Sequence, residues 1–447
     1  MTEFLIHSHR CFVQEQLVEA TLHIKNNTIY KVHDGLYTLD NIPFLEYDSA
    51  IVMPGIIDTH VHINEPGRSD WEGFDTATKA AAAGGITTLI EMPLNASPVT
   101  TSKEAFLQKQ KAATNKLHVN CGFYGGVVPD NSASIEELIT SGVFGIKGFL
   151  THSGIDEFPN VTRKHLESIA PILQKYDIPL LLHCELDDDK IPVVTDTKSY
   201  QEYLNSRPAH WETNAIELAL ELQQEYDIRV HIVHLSTAEG LPLIRKHKEK
   251  TDKLTVETCP HYLFFDAEMI PDASPIYKCA PPIREKSNNE VLWNAVLEGD
   301  FDFISSDHSP APPEIKQLES GDFFKAWGGI SGLQFTLPVL FTSGRNYGLT
   351  LEQLIPLLTS KPANFIGLAH KKGFLKDGYE ADITIWDENQ HISIEENNIF
   401  HKHKPTPYLG QKLLGKTIDT FVNGKRVLNN GKLENLNCGS LLKKEIE

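Results

Sequence analysis

Three things are scarce in this chain, and each scarcity closes off a class of protein. Cysteine comes to six residues in 447 (Cys11, Cys121, Cys184, Cys259, Cys279 and Cys438), scattered without a Cys-x-x-Cys pair. That spacing fits neither a disulfide framework nor a structural zinc knuckle; it fits free buried thiols in a reducing cytosol. Basic residues are outnumbered, 41 Lys and Arg against 60 Asp and Glu, for a formal net charge of −19. So acidic a surface repels nucleic acid and anionic membranes, and neither is expected as a partner. Long apolar runs are missing. Nothing reaches the roughly 18 residues of a membrane span, and the first residues lack the basic start and apolar core of a signal peptide. A cytoplasmic protein is the expectation.

What is there is ordinary globular composition, 40% hydrophobic and 23% charged. Both ends of the chain read as β-structure. Phe4 to Phe12 and Ala20 to His33 are strand-like, with a turn at Lys25-Asn26-Asn27, and Ala381 to Trp386 alternates near the other end. Thr417 to Val427 with Asn429-Asn430-Gly431 reads as a hairpin. Neither end can bury a good core alone, so residues 1–52 and 375–447 are expected to join in one small β-sandwich domain. The middle, 53–374, alternates short apolar strands with helical stretches. Its strand candidates are Ile56–Ile63, Ile86–Met92, Leu117–Gly125, Gly145–Leu150, Pro179–Glu185, Arg229–Leu235, Leu254–Thr258 and Phe301–Ser306. Eight strands alternating with helices, such as Phe74 to Ala83 ended by Gly84-Gly85, predict an α/β fold, a closed parallel (β/α)8 TIM barrel. A doubly wound open sheet is the structural alternative. The long loops 186–208 and 309–327 follow strands, where a barrel keeps its binding site.

The chemistry collects at the strand ends. His60 and His62 lie two apart on the first barrel strand and so share a face, an arrangement that suits a divalent transition metal. His183, His234 and Asp307 each close a later strand. One such residue alone is more often a satisfied core histidine or a helix cap; five at one end of one barrel are not. His231, three residues before His234, is expected to face away and is left out. Lys147 lies inside an apolar strand, where an unpaired ammonium is costly to bury. It either snorkels to solvent or loses its proton and takes up carbon dioxide as a carbamate, an anion able to bridge two metals.

On these residues the chain resembles the cyclic amidohydrolases, the group of dihydroorotase, hydantoinase, dihydropyrimidinase and allantoinase, over nearly its whole length. The resemblance implies a hydrolase in which His60, His62, carboxylated Lys147, His183, His234 and Asp307 hold two divalent metal ions, Zn2+ by expectation, with a bridging hydroxide. Asp307 is then also the catalytic base and acid. Asn64-Glu65-Pro66-Gly67-Arg68, Glu91-Met92-Pro93-Leu94-Asn95, Cys279-Ala280-Pro281-Pro282-Ile283-Arg284, Ser306-Asp307-His308-Ser309-Pro310 and Lys325-Ala326-Trp327-Gly328-Gly329-Ile330 resemble the allantoinase branch in particular. That branch implies the small neutral molecule allantoin as substrate and a homotetramer. Backbone groups near Ala280 and Gly328 are implied to hold the ring, with Asn95 a weaker candidate. Dihydroorotases carry an arginine where this chain has Asn64, which is therefore expected to meet the substrate. His308 and Glu185 read as supports of the metal ligands or as plain packing, and Arg284 as a loop fastener or a carboxylate clamp. A hydantoinase, a dihydropyrimidinase or a dihydroorotase remains the enzymatic alternative. A non-enzymatic scaffold of this group loses metal ligands, and this chain keeps all six.

Overall fold

Turns in the outer sheet fall where polar residues take up left-handed backbone, which Asn and Gly adopt most readily. The computed structural model describes residues 3–188, 193–434 and 436–446; within the loop 186–208, residues 189–192 lie outside the described residues. Strands Glu3–Val13, Gln16–Lys25 and Thr28–Asp34 follow one another as antiparallel hairpins. The other end of the chain supplies Ile383–Ser393, Lys412–Val422, Lys425–Asn429 and Lys432–Leu433. All enter one nine-stranded sheet, in which Ile51–Pro54 lies between Glu3–Val13 and Ile383–Ser393. Phe4, Ile6, Leu22, Ile24, Val52, Ile383, Ile385 and Phe421 pack into its core. The hairpin expected at Asn429-Asn430-Gly431 is in fact two. Asn423 and Gly424 (φ 51° and 71°) make the first turn, and Asn430 and Gly431 (φ 48° and 76°) the second. The expected strand Thr417 to Val427 is therefore broken by its own Asn-Gly pair.

Between the two halves of that sheet run eight parallel barrel strands. They are Ile56–Val61, Ile86–Glu91, Asn120–Phe123 continued by Gly125–Gly126, Ile146–Phe149, Leu180–His183, Val230–Ile232, Leu254–Thr258 and Phe303–Ile304. The ring closes through a parallel bridge from Val61 to His308 and the bond from the His62 N–H to the His308 carbonyl, 2.8 Å. This is a (β/α)8 barrel, and its helices pack outside it. Phe74–Ala83 has the predicted bounds. Gly85, at φ 83°, turns the chain into the next strand, and a Cβ there would lie 2.6 Å from Thr384 Cγ2. Most ladders stop short of the apolar run that announces them, because the last residues leave the sheet to reach the barrel mouth. Val230–Ile232 ends two residues before His234 turns left-handed, and Phe303–Ile304 three residues before Asp307 does.

One buried pair ties a barrel strand to its outer helix. Glu91 ends Ile86–Glu91, and Lys109 reaches it from the helix Lys103–Ala113; both side chains are fully buried. The Lys109 ammonium also donates to the Met92 carbonyl at 3.1 Å. Lys109→Met takes away the cation paired with the buried Glu91 carboxylate, a change of about 3–5 kcal/mol. The thermal unfolding midpoint is expected to fall by roughly 3–5 °C; an unchanged midpoint would mean that Glu91 needs no partner.

Candidate active site

Four non-glycine residues at the barrel mouth hold left-handed backbone: Asn64 (φ 66°), Asn95 (φ 69°), His234 (φ 40°) and Asp307 (φ 45°). Such conformations persist only where the surroundings enforce them, and they gather at functional sites. The φ of His234 breaks the strand's alternation and lets His234 and His231, three apart, both point inward. The expectation that His231 faces away is therefore wrong. His231 lies buried within the barrel against Phe303 and Phe365, with Nε2 3.4 Å from Glu257 Oε2.

The five strand-end residues and Lys147 come together. Asp307 Oδ1 lies 3.2 Å from His60 Nε2 and 3.4 Å from His62 Nε2. His183 Nδ1 lies 3.0 Å from His234 Nε2, and the His60 and His234 rings are 5.4 Å apart. Lys147 is fully buried in the strand between, its ammonium 4.9 Å from the Phe149 ring, which stacks on His183 at 4.6 Å.

Each imidazole but one has its outward nitrogen held. His60 Nδ1 meets Glu257 Oε1 at 2.5 Å and His183 Nε2 meets Glu185 Oε2 at 2.6 Å. His62 Nδ1 meets the Asn95 amide at 3.3 Å; the Asn95 Oδ1 has no other partner, so the amide can equally present it as acceptor. Partners of this kind fix the tautomer and aim the remaining lone pair. His234 Nδ1 is left without one. No spacing in the sequence points to Glu257, although it is the one carboxylate of the expected strand Leu254–Thr258. A carboxylate inside an apolar barrel strand is the signal that finds it.

The electrostatics suit a cation. Burial pushes His62 down to about 4, and burial with the neighbouring cations holds His183 and His234 below the usual imidazole range. Burial likewise brings the Lys147 amine down to about 7, and its Nζ has no hydrogen-bond partner. Against burial, His60 and His62 keep Asp307 ionised below the usual carboxylate range. Glu185, paired with Arg207 and His183, is held at about 2 despite its burial. Four imidazoles, one carboxylate and an unpartnered buried amine form a donor set that fits divalent transition metals. His60, His62 and Asp307 already offer ligand atoms within 4.8 Å of one another, as do Cys259, His261 and Asp307.

Above this cluster opens a cavity of about 580 Å³, lined by His60, His62, His183, His234 and Asp307 among others. Ala280, Gly328 and Asn95 line it as well. Asn64 does not: it is fully buried and its amide donates to the Pro310 carbonyl at 3.2 Å. The expected contact between Asn64 and substrate therefore fails, because its left-handed backbone turns the side chain into the loop. Arg284 also stays outside, clamped by Glu212 at 2.6 Å and by Ser236, which is the loop-fastening role. His308 accepts the Gly332 N–H at 3.1 Å and lies 3.5 Å from Glu72.

The two backbone segments facing each other across the cavity are laced together by lysines. The buried Lys316 ammonium donates all three protons, to the carbonyls of Lys278 (2.7 Å), Trp327 (3.0 Å) and Gly329 (2.5 Å). Lys278 returns a bond to the Ala326 carbonyl at 2.6 Å. Ala280 and Gly328 sit on the segments so joined. Lys316→Met strips three carbonyls of their donor, and for the buried Gly329 carbonyl the loss is worth about 1–3 kcal/mol. Substrate KM is expected to rise about tenfold or more while kcat changes less; an unaltered KM would show that the lacing positions nothing.

A closed barrel with four imidazoles, a carboxylate and a buried lysine at one mouth defines a hydrolase scaffold built for metal. The chain belongs to the amidohydrolase family, whose model matches residues 51–427. It is 43% identical to the allantoinase of Arabidopsis thaliana over 98% of this chain and 90% of that one. It is 39% identical to the allantoinase of Saccharomyces cerevisiae over 90% and 86%. Among solved structures it is similar to an L-hydantoinase (dihydropyrimidinase) from Arthrobacter aurescens, with a TM-score of 0.94 and 30% identity over 99% of this chain and 100% of the other.

Proposed function

We propose that this chain opens the five-membered ring of allantoin by hydrolysis, giving allantoate. The observation that carries the reading is the convergence of the five strand-end residues and the buried Lys147 beneath a cavity walled by Ala280 and Gly328, in a chain similar over most of its length to allantoinases. His60, His62, His183, His234, Asp307 and Lys147, the last as its carbamate, would hold two divalent cations. When bound, these ions acidify water and polarise the amide carbonyl. Zinc as the metal and a homotetramer follow from the resemblance alone, and a cytosolic location from the scattered free cysteines; among the described residues no helix is long and apolar enough to cross a membrane.

The protein's own groups do the rest. Asp307, kept ionised by His60 and His62, takes a proton from the attacking water. The water oxygen bonds to the ring carbonyl carbon, the carbon–nitrogen bond breaks, and Asp307 returns the proton to the leaving nitrogen. Backbone groups of the Ala280 and Gly328 segments orient the ring. Trp71 and Trp327, edge to face at 4.9 Å, shield the cavity mouth.

Substrate choice follows from charge. Among the described residues lining the cavity, Arg68 is paired with Glu157, Arg207 with Glu185 and Lys325 with Asp322, while Lys278 is spent on carbonyls. A substrate carboxylate finds no buried cation free to replace its water; Lys325, 3.7 Å from Asp322, is 77% exposed and its attraction is screened by solvent. Hydrogen bonds to a charged group contribute about 1.5–3 kcal/mol each, so kcat/KM for neutral allantoin is expected to exceed that for dihydroorotate by about a hundredfold or more. Assays of the purified holoenzyme on allantoin, hydantoin, dihydrouracil and dihydroorotate, with and without prolonged chelation, test this. Comparable turnover of dihydroorotate, or a preference for hydantoin or dihydrouracil, overturns the assignment. So does full activity in metal-free protein.

A further inference from the structure

A further group of side chains with ligand atoms close enough to hold a metal ion lies on the outer sheet, and none of its members lines the barrel cavity. His7 and His9 are two apart on Glu3–Val13 and point to one face. The strand Phe44–Glu46 pairs with this strand in parallel and sets Glu46 opposite His7. Gln16–Lys25 pairs with it antiparallel, His7 facing Thr21, and brings Glu19 to the same face two residues on.

His7 is 2% exposed. The Glu46 carboxylate holds its Nδ1 at 2.8 and 3.0 Å, which leaves the lone pair on Nε2. That nitrogen is buried and has no hydrogen-bond partner, although Glu19 Oε1 is only 3.4 Å away. His9 Nδ1 lies 3.6 Å from Glu19 Oε2, beyond hydrogen-bond reach. Ligand atoms from the three residues lie within 4.8 Å of one another. Two close contacts that make no hydrogen bond are poor pairing, but they match the spacing of ligands around one ion. Donors about 2.0–2.2 Å from a tetrahedral metal stand about 3.3–3.6 Å apart.

We propose that His7, His9 and Glu19, with Glu46 orienting His7, form a binding site for one divalent transition-metal ion such as Zn2+. The site is independent of the hydrolytic centre. Three protein ligands leave one position for water, which the half-exposed side chains of His9 and Glu19 permit (56% and 46% exposed). The ion pins Gln16–Lys25 and the three-residue strand Phe44–Glu46 to the strand between them, so its role is structural. The competing arrangement is a protonated His7 shared between Glu19 and Glu46, which takes up no metal.

The test equilibrates holoenzyme with a slight excess of Zn2+, removes free ion by gel filtration and counts zinc per chain by elemental analysis. Wild type is expected to carry one equivalent more than His9→Ala and one more than Glu19→Gln, with equal kcat in all three. Added Zn2+ raises the unfolding midpoint of wild type and leaves those of the variants in place. A Co2+-loaded wild type minus His9→Ala difference spectrum shows the visible bands of one tetrahedral Co2+. Equal zinc in wild type and both variants overturns the site, as does a Zn2+-induced shift of the same size in all three.

Discussion

Lys147→Ala is expected to emerge folded, stripped of its metal ions and slower by at least about 10⁴-fold in kcat. Three features combine to predict this. Lys147 is fully buried on Ile146–Phe149, its ammonium meets no acceptor, and burial has brought it down to about 7. An amine in that state is a nucleophile for carbon dioxide, whereas a charged ammonium is not. Losing it should not unfold the barrel, because an unpaired buried cation contributes nothing favourable to the apolar strand around it. The unfolding midpoint of metal-free variant and metal-free wild type should therefore agree within a few degrees. Elemental analysis and kcat report the loss, and native mass spectrometry of wild type should find the added mass of one carbon dioxide. Two tightly held ions beside an unmodified Lys147 would rule out the carbamate.

Asp307→Asn is expected to keep part of its metal and lose about 10²–10⁴-fold in kcat, the usual worth of general acid–base assistance. Asparagine is the informative replacement here. Asp307 sits at φ 45°, and asparagine tolerates left-handed backbone where alanine does not, so the loop stays in place. Its amide oxygen can still face His60 and His62 but accepts no proton from water. Because Asp307 is held below the usual carboxylate range in the folded protein, its ionised form is present through acid pH. Any fall in kcat/KM caused by protonating it is therefore confined below the ordinary Asp value of about 3.9, and that fall should be missing from the variant. Normal metal content with wild-type turnover would remove Asp307 from the reaction.

Much of this site is legible in the sequence because β-structure has a period of two. His60 and His62 share a face by that rule, and His183 and Asp307 end runs too apolar to hold them for packing alone. The same rule misplaces His231, since no pattern announces that His234 will turn left-handed and reset the alternation. It also passes over Glu257, which is a lone charge in Leu254–Thr258 until the fold sets it against His60 and His231. Asn64 fails for a related reason. Its position two residues after His62 suggests a side chain aimed at substrate, but the strand has ended at Val61 and φ is 66°. The lacing by Lys316 depends on carbonyls contributed by three separate residues, a tertiary fact that no local spacing encodes.

The nine-stranded sheet has a consequence for how the protein is made. Ile51–Pro54 pairs with Ile383–Ser393, residues more than three hundred positions later, through register pairs such as Ile383 with Pro54. On the ribosome, at about 5–20 residues per second, one edge of Ile51–Pro54 stays open for tens of seconds while the barrel is still emerging. Pairing at such sequence separation is slow even in the finished chain. The N-terminal strands are thus the part of the nascent protein most exposed to chance strand addition. Shortening the chain before residue 383 should yield aggregation, not an isolated barrel.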